Sequence, residues 1–166
     1  MKDNELLIIL SVLLQYPDNE LIEFCKNEQI SDIDDPNILN SINYFLDYIN
    51  NKSLEELQKY YVQTFDFDED INLYLSYSKD IDDKERGGKL LQLKKFYRDS
   101  GFLIDTDELP DYYPLMLEFM SIVNMNTTKE LFSHYLEEIN NLKIKLNKIN
   151  SPYEKLIDAS IAIIVN

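Results

Sequence analysis

The stretch Asp66-Phe67-Asp68-Glu69-Asp70-Ile71-Asn72-Leu73-Tyr74-Leu75-Ser76-Tyr77 decides the fold class. Ile71, Leu73, Leu75 and Tyr77 alternate at period two, the pattern of a half-buried strand. No second alternating run and no hairpin turn stands elsewhere in the chain to pair with it. An unpaired strand leaves its backbone donors and acceptors without partners. Residues 66–83 therefore read as an extended or irregular connector crossing a helical bundle, because the segments on either side repeat their apolar residues at helical spacing.

Upstream, Leu6, Leu7, Leu10, Leu13 and Leu14 predict a helix over about residues 4–15. Ile8, Ile9 and Val12 make it apolar almost all round, as a central helix is, and Pro17 ends it. A short helix over about 19–28 carries Leu21, Ile22 and Cys25 on one side. After the loop 31–36, Asp35 suits the N-cap and Pro36 the first position of a third helix, with Leu39, Ile42, Phe45, Leu46 and Ile49 as its buried stripe. Ser53-Leu54-Glu55-Glu56 is a capping box opening a fourth helix, which presents Leu57, Tyr60, Tyr61 and Thr64 and stops near Phe65.

Downstream, a fifth helix over about 84–100 uses Leu90, Leu91, Leu93, Phe96 and Tyr97, and Gly101 fits a left-handed cap. Pro110 and Pro114 bracket Asp111-Tyr112-Tyr113, and Pro114 belongs in the first turn of a sixth helix that carries Leu117, Met120 and Ile122 inward. A second capping box, Thr127-Thr128-Lys129-Glu130, opens a seventh helix running through Leu131, Tyr135, Leu136, Ile139, Leu142 and Leu146. A third, Ser151-Pro152-Tyr153-Glu154, opens an eighth over about 152–165. The expectation is an all-α bundle of about seven to eight helices, a single domain over residues 1–166.

Composition agrees. Of 166 residues 45% are apolar, and only three glycines and five prolines are present, which favours long helices and short turns. With 31 acids against 16 bases the net charge is -15, which repels nucleic-acid phosphates and anionic membrane surfaces and attracts basic peptides. Simple solubility explains the same charge, and both readings stay open. The lone Cys25 reads as a small buried hydrophobe, and the lack of a disulfide framework suits a reducing compartment. The apolar run Leu6–Leu14 follows acids rather than bases and is too short to span a bilayer, so a cytoplasmic protein is expected.

Catalytic chemistry is not visible. His134 is the only histidine, so Ser-His-Asp triads and zinc sites with several imidazoles are excluded. Arg86-Gly87-Gly88-Lys89 is too short for a phosphate loop. Asp66, Asp68 and Asp70 have calcium-loop spacing, but Ile71 stands at the turn glycine and Tyr77 at the closing glutamate. No catalytic residue, metal or cofactor is expected. Phe65-Asp66-Phe67 and Asp111-Tyr112-Tyr113 instead set aromatics beside carboxylates, which suits a peptide with hydrophobic anchors and Arg or Lys. Aromatics in the core with acids as helix caps would produce the same strings.

Several blocks, taken in order, resemble a known family. They are Leu13-Leu14-Gln15-Tyr16-Pro17-Asp18, Tyr61 with Thr64-Phe65-Asp66-Phe67, Leu73-Tyr74-Leu75, Asp82, Lys84, Arg86-Gly87, Leu91, Tyr97 and Gly101-Phe102. Glu108-Leu109-Pro110-Asp111-Tyr112, Pro114, Leu117-Glu118-Phe119 and Ser151-Pro152-Tyr153 complete the set. Together they resemble the NarJ-type chaperones, the nitrate reductase delta chains of the TorD-like all-helical group. The family pattern Gly-Asp-x-Arg-x-Arg-Gly is altered here, with Ile81 for the glycine and Lys84 for the first arginine, which keeps charge but loses the bidentate fork.

The resemblance implies a non-catalytic assembly factor. It would bind the apo alpha subunit of respiratory nitrate reductase, including its N-terminal signal-like segment, and hold it open for molybdenum cofactor insertion before membrane docking. On that basis Phe65, Asp66, Phe67, Asp68, Tyr74, Tyr77, Glu108, Leu109, Asp111, Tyr112, Leu117, Glu118 and Phe119 are candidate client contacts, and Arg86 is expected to pair internally with a carboxylate. The alternatives are a chaperone of a dimethyl-sulfoxide or trimethylamine-oxide reductase, or a small hydrolase.

Overall fold

The computed structural model describes residues 1–27, 30, 33–67, 70–79 and 81–165. Among them the chain forms eight helices and no strand. These are α1 (Asp3–Leu13), α2 (Asn19–Asn27), α3 (Pro36–Asn50), α4 (Leu54–Phe65), α5 (Asp83–Asp99), α6 (Tyr113–Ile122), α7 (Met125–Lys148) and α8 (Tyr153–Val165). The fold is all-α.

Its centre is built from the helices with the fewest polar residues. α1 lies against α6 and α8, α8 also packs on α3 and α7, and α2 and α7 flank α3 and α6. On α6, Tyr113 to Leu117 and then Phe119 to Ser121 are all buried. Such a helix must bring its polar groups with their own partners. Ser11 Oγ of α1 donates to the Pro114 carbonyl at 2.7 Å. Ser160 Oγ of α8 donates to the Ile157 carbonyl, and its oxygen accepts from the Tyr113 hydroxyl at 2.7 Å.

Helix ends follow local chemistry. Asp35 Oδ1 accepts from the Asn37 N–H at 2.8 Å, and Pro36 opens α3. In the α4 box, the Glu56 N–H donates to Ser53 Oγ while the Ser53 N–H donates to Glu56 Oε2 at 2.8 Å. At the end of α5, Gly101 takes φ 80°, and the Phe102 N–H reaches back to the Tyr97 carbonyl at 2.9 Å. The end of α7 closes the same way with an asparagine: Asn150 takes φ 51°, and the Ser151 N–H donates to the Leu146 carbonyl at 3.0 Å.

Four expectations need correction. Leu91 is 70% exposed, because it sits two residues, about 200°, from Leu93 on the helical wheel, and the buried line of α5 is Leu93–Tyr97. Ile122 is 62% exposed, the same angular distance from buried Met120. α7 starts before the second capping box: Asn124 is the N-cap and accepts from the Thr127 N–H at 3.1 Å. Thr128 is buried instead, donating to the Met120 carbonyl at 3.0 Å. The third box does not form either. Ser151 Oγ is buried with no hydrogen-bond partner among the described residues, and the Glu154 carboxylate meets Lys155 Nζ at 3.0 Å.

Candidate functional site

The connector finds its partner in the segment between Pro110 and Pro114. Tyr74 and Tyr112 form an isolated antiparallel bridge, in which the Leu75 N–H donates to the Asp111 carbonyl at 3.0 Å and the Tyr113 N–H to the Leu73 carbonyl at 2.7 Å. The bridge satisfies the Leu75 N–H and the Leu73 carbonyl, and the Asn72 side chain takes the Tyr74 N–H at 2.9 Å, so backbone groups that a lone extended run would leave open find partners. Ile71, Leu73 and Leu75 point into the core, so the alternation records burial on one side without a sheet.

Side chains lock the crossing. Asp111 is fully buried; its Oδ2 accepts from the Ser76 N–H at 3.1 Å and the Ser76 hydroxyl at 2.5 Å. Arg86 Nη2 stands 3.9 Å from the same oxygen, and the guanidinium carbon lies 5.2 Å from the centre of the Tyr77 ring. The Tyr97 hydroxyl donates to the Pro110 carbonyl at 2.7 Å. Tyr74 and Tyr112 rings lie 5.3 Å apart, and the Tyr74 hydroxyl donates to Glu108 Oε1 at 2.8 Å.

Tyr112 is thereby held from three directions. Its hydroxyl is 3.2 Å from that of Tyr61, which donates to the Leu14 carbonyl at the end of α1. Burial raises the Tyr112 hydroxyl's pKa, the bond to Tyr61 opposes that rise, and the Glu108 and Asp66 carboxylates add to it. Tyr112 is neutral at physiological pH and has carboxylates close by.

At the surface this frame edges a groove of about 410 Å³ lined by Gln15, Tyr16, Asp18, Thr106, Glu108, Tyr112, Pro114, Leu115 and Glu118. Three carboxylates surround two tyrosines, a proline and a leucine. A polar rim around apolar area suits a peptide that presents both apolar and basic side chains. Tyr16 is 48% exposed and packs edge-on against Tyr61, with centroids 5.5 Å apart. It also borders a neighbouring hollow along α4 that includes Val62 and Phe67, the latter 78% exposed.

The candidate contacts divide. Glu108, Tyr112 and Glu118 share the groove. Phe67 adjoins it through Tyr16, and Asp66 is near enough to Tyr112 to act on it through its charge. Tyr74 and Tyr77 border a different hollow, with Lys89, Glu138 and Lys145. Leu109 is half-buried in the turn and accepts the Tyr112 N–H at 3.1 Å. Phe65, Asp111, Leu117 and Phe119 are buried behind the surface. Asp68 lies outside the described residues.

Sequence reasoning missed Tyr16 and Asp18. The signal was present in the block 13–18, but Pro17 drew the reading toward helix termination. Asp18 also caps α2, its Oδ1 accepting from the Leu21 N–H at 2.8 Å. Among the described residues no three His, Cys, Asp or Glu side chains are placed to hold a metal ion, and no helix is long and apolar enough to cross a membrane.

Known proteins carry the same pattern across most of the chain. A probable nitrate reductase molybdenum cofactor assembly chaperone, NarJ of Bacillus subtilis, is 36% identical over 159 residues, covering 95% of this chain and 86% of its own. The probable assembly chaperone NarW of Escherichia coli is 28% identical over 157 residues, covering 93% of this chain and 66% of its own. The nitrate reductase-like protein NarX of Mycobacterium tuberculosis is 32% identical over 99 residues, 60% of this chain and 15% of that protein. The first two bear names of assembly factors, not of catalysts. The nitrate reductase delta subunit family matches residues 33–155. With that match over residues 33–155 and a 36% identical relative across 95% of the chain, the chain belongs to the nitrate reductase delta subunit family.

Proposed function

We propose that the protein is an assembly chaperone of a nitrate reductase. It binds the apo alpha subunit, including that subunit's N-terminal signal-like segment, and keeps it competent for molybdenum cofactor insertion, on the cytoplasmic side and before membrane docking. The observation that carries this reading is the 36% identity, across 95% of the chain, with a relative whose name states that assembly role. It is not an enzyme; its contribution is binding.

The groove supports the reading chemically. An amphipathic client helix sets apolar side chains on Tyr16, Tyr112 and Leu115 and basic ones against Asp18, Glu108 and Glu118. Glu108 is already oriented by the Tyr74 hydroxyl and the Leu109 N–H, which lowers the entropy lost on binding. The net charge of -15 speeds encounter with a basic segment at low salt.

Calorimetric titration with a synthetic peptide of the alpha subunit's N-terminus, at low and high salt, tests this. Micromolar or tighter binding that weakens with salt is expected. Tyr16→Ala and Glu118→Gln should each weaken it by about tenfold. Unchanged affinity in both variants, with the helical circular dichroism intact, would remove the groove from the client site. Tighter binding of a peptide from a dimethyl-sulfoxide or trimethylamine-oxide reductase would reassign the client.

A further inference from the structure

On the other flank of α4 lies a cleft of opposite character. Tyr44 and Tyr48 of α3 face Lys59 and Tyr60 of α4 across about 430 Å³, with Lys52 at one end. In a chain of net charge -15, this lining holds two lysines and only one acid, Glu56. Lys52 stands 3.8 Å from Glu56, whereas Lys59 has no ion-pair or hydrogen-bond partner among the described residues. The hydroxyls of Tyr44, Tyr48 and Tyr60 likewise have no partner within the protein among those residues.

The rings are preset by the core. Tyr60 stacks on buried Tyr153 at 7° and 6.3 Å, Tyr48 meets Tyr60 edge-on at 5.9 Å, and Tyr48 also contacts buried Phe45 at 6.0 Å. Tyr44 is 55% exposed and has no such tether. One free ammonium and three phenolic donors suit a carboxylate, and the aromatic faces between them suit apolar groups that flank it. The lining follows α4 from Glu56 to Gln63, roughly 10 Å of helix, the length of about three residues of extended chain. That elongation favours a peptide over a small ion.

We propose that this lysine–tyrosine cleft between α3 and α4 is a second interaction surface, which takes an acidic, aromatic-containing segment of a partner protein. Lys59 and Gln63 also border the Tyr16–Phe67 hollow, so the two surfaces meet along α4. Neither needs the other: the groove of Tyr112 selects positive charge and the cleft of Tyr44 negative charge.

The test uses the full chain with ring-labelled tyrosine and two ten-residue peptides. One alternates glutamate with phenylalanine and serine; the other carries glutamine for each glutamate. The acidic peptide should shift the Tyr44, Tyr48 and Tyr60 signals saturably and leave Tyr112 in place. The glutamine peptide should bind about tenfold more weakly, and Lys59→Gln should cost the acidic one a similar factor. Lys59 is exposed, so that variant folds; Tyr44→Ala, also at the surface, provides a second arm. Equal binding of both peptides, no saturable shift, or indifference to both variants overturns the proposal. Displacement by millimolar inorganic phosphate alone would make it a small-anion site and overturn it too. Failure here leaves the alpha-subunit peptide's binding to the Tyr112 groove untouched, and the converse holds.

Discussion

Three carboxylates near the groove carry different duties. Asp111 is fully buried with Ser76 and Arg86 upon it, whereas Glu108 and Glu118 border the groove. Asp111→Asn keeps the shape but removes the charge opposite Arg86, and should cost about 1–3 kcal/mol in urea unfolding. Glu118→Gln should leave stability within about 0.5 kcal/mol. In the sequence Asp111 and Glu118 look alike, each beside aromatics, because burial depends on a connector some 35 residues upstream. Cys25 is the opposite case, legible from its place on an apolar helix face. Burial pushes its thiol pKa up to about 11, so little thiolate exists at pH 8. Ellman's reagent should therefore label it on the time course of unfolding, and rapid labelling of folded protein would contradict that.

Among the helices, patterns of period and cap were readable where one local rule acted alone. Asn51, two residues upstream, is taken as the C-cap of α3, so Ser53 and Glu56 are left to open α4 and their box forms. At the start of α7 two signals competed three residues apart, and Asn124 prevailed because Thr128 is needed inside, bonded to the Met120 carbonyl. Asn124→Ala should accordingly cost about 1 kcal/mol, while Glu130→Ala should change stability by less than about 0.5 kcal/mol. The reverse order in thermal or urea unfolding would restore the Thr127 box. The two left-handed closures make the same point: Gly101 announces one, but Asn150 is an ordinary polar residue until the turn is seen.

Across the whole molecule, tyrosines Tyr97, Tyr113 and Tyr153 are the largest fully buried side chains among the described residues. Burial is the first cause raising the hydroxyl pKa of Tyr48, Tyr61, Tyr74, Tyr97, Tyr112, Tyr113, Tyr135 and Tyr153, with Tyr48 and Tyr135 at about 12. Above the ordinary tyrosine value near 10, the unfolded chain loses protons that the folded one retains. Stability is thus unaffected by these groups below pH ~10 and falls as pH rises from there through the folded values. Phenolate absorbance at 295 nm should therefore rise together with loss of helical circular dichroism. Early titration of the fully buried Tyr97, Tyr113 and Tyr153 in an intact helical fold would show the core to be looser than its packing.

The sequence by itself determined the all-α class, nearly every helix and the strong acidity, because apolar period, proline and charge act within a few residues of where they stand. It also carried the family likeness in its ordered blocks. Only the tertiary structure decided which aromatics and acids reach the surface. The bridge between Tyr74 and Tyr112 joins two segments that have no shared local pattern, and it buries Asp111 while leaving Glu108 and Tyr112 at the groove edge. Tyr16 enters that groove from the far end of α1, because packing of α1 on α6 brings the two helix ends together. A contact between residues so far apart in the chain depends on the bundle's geometry, which no short window of sequence contains.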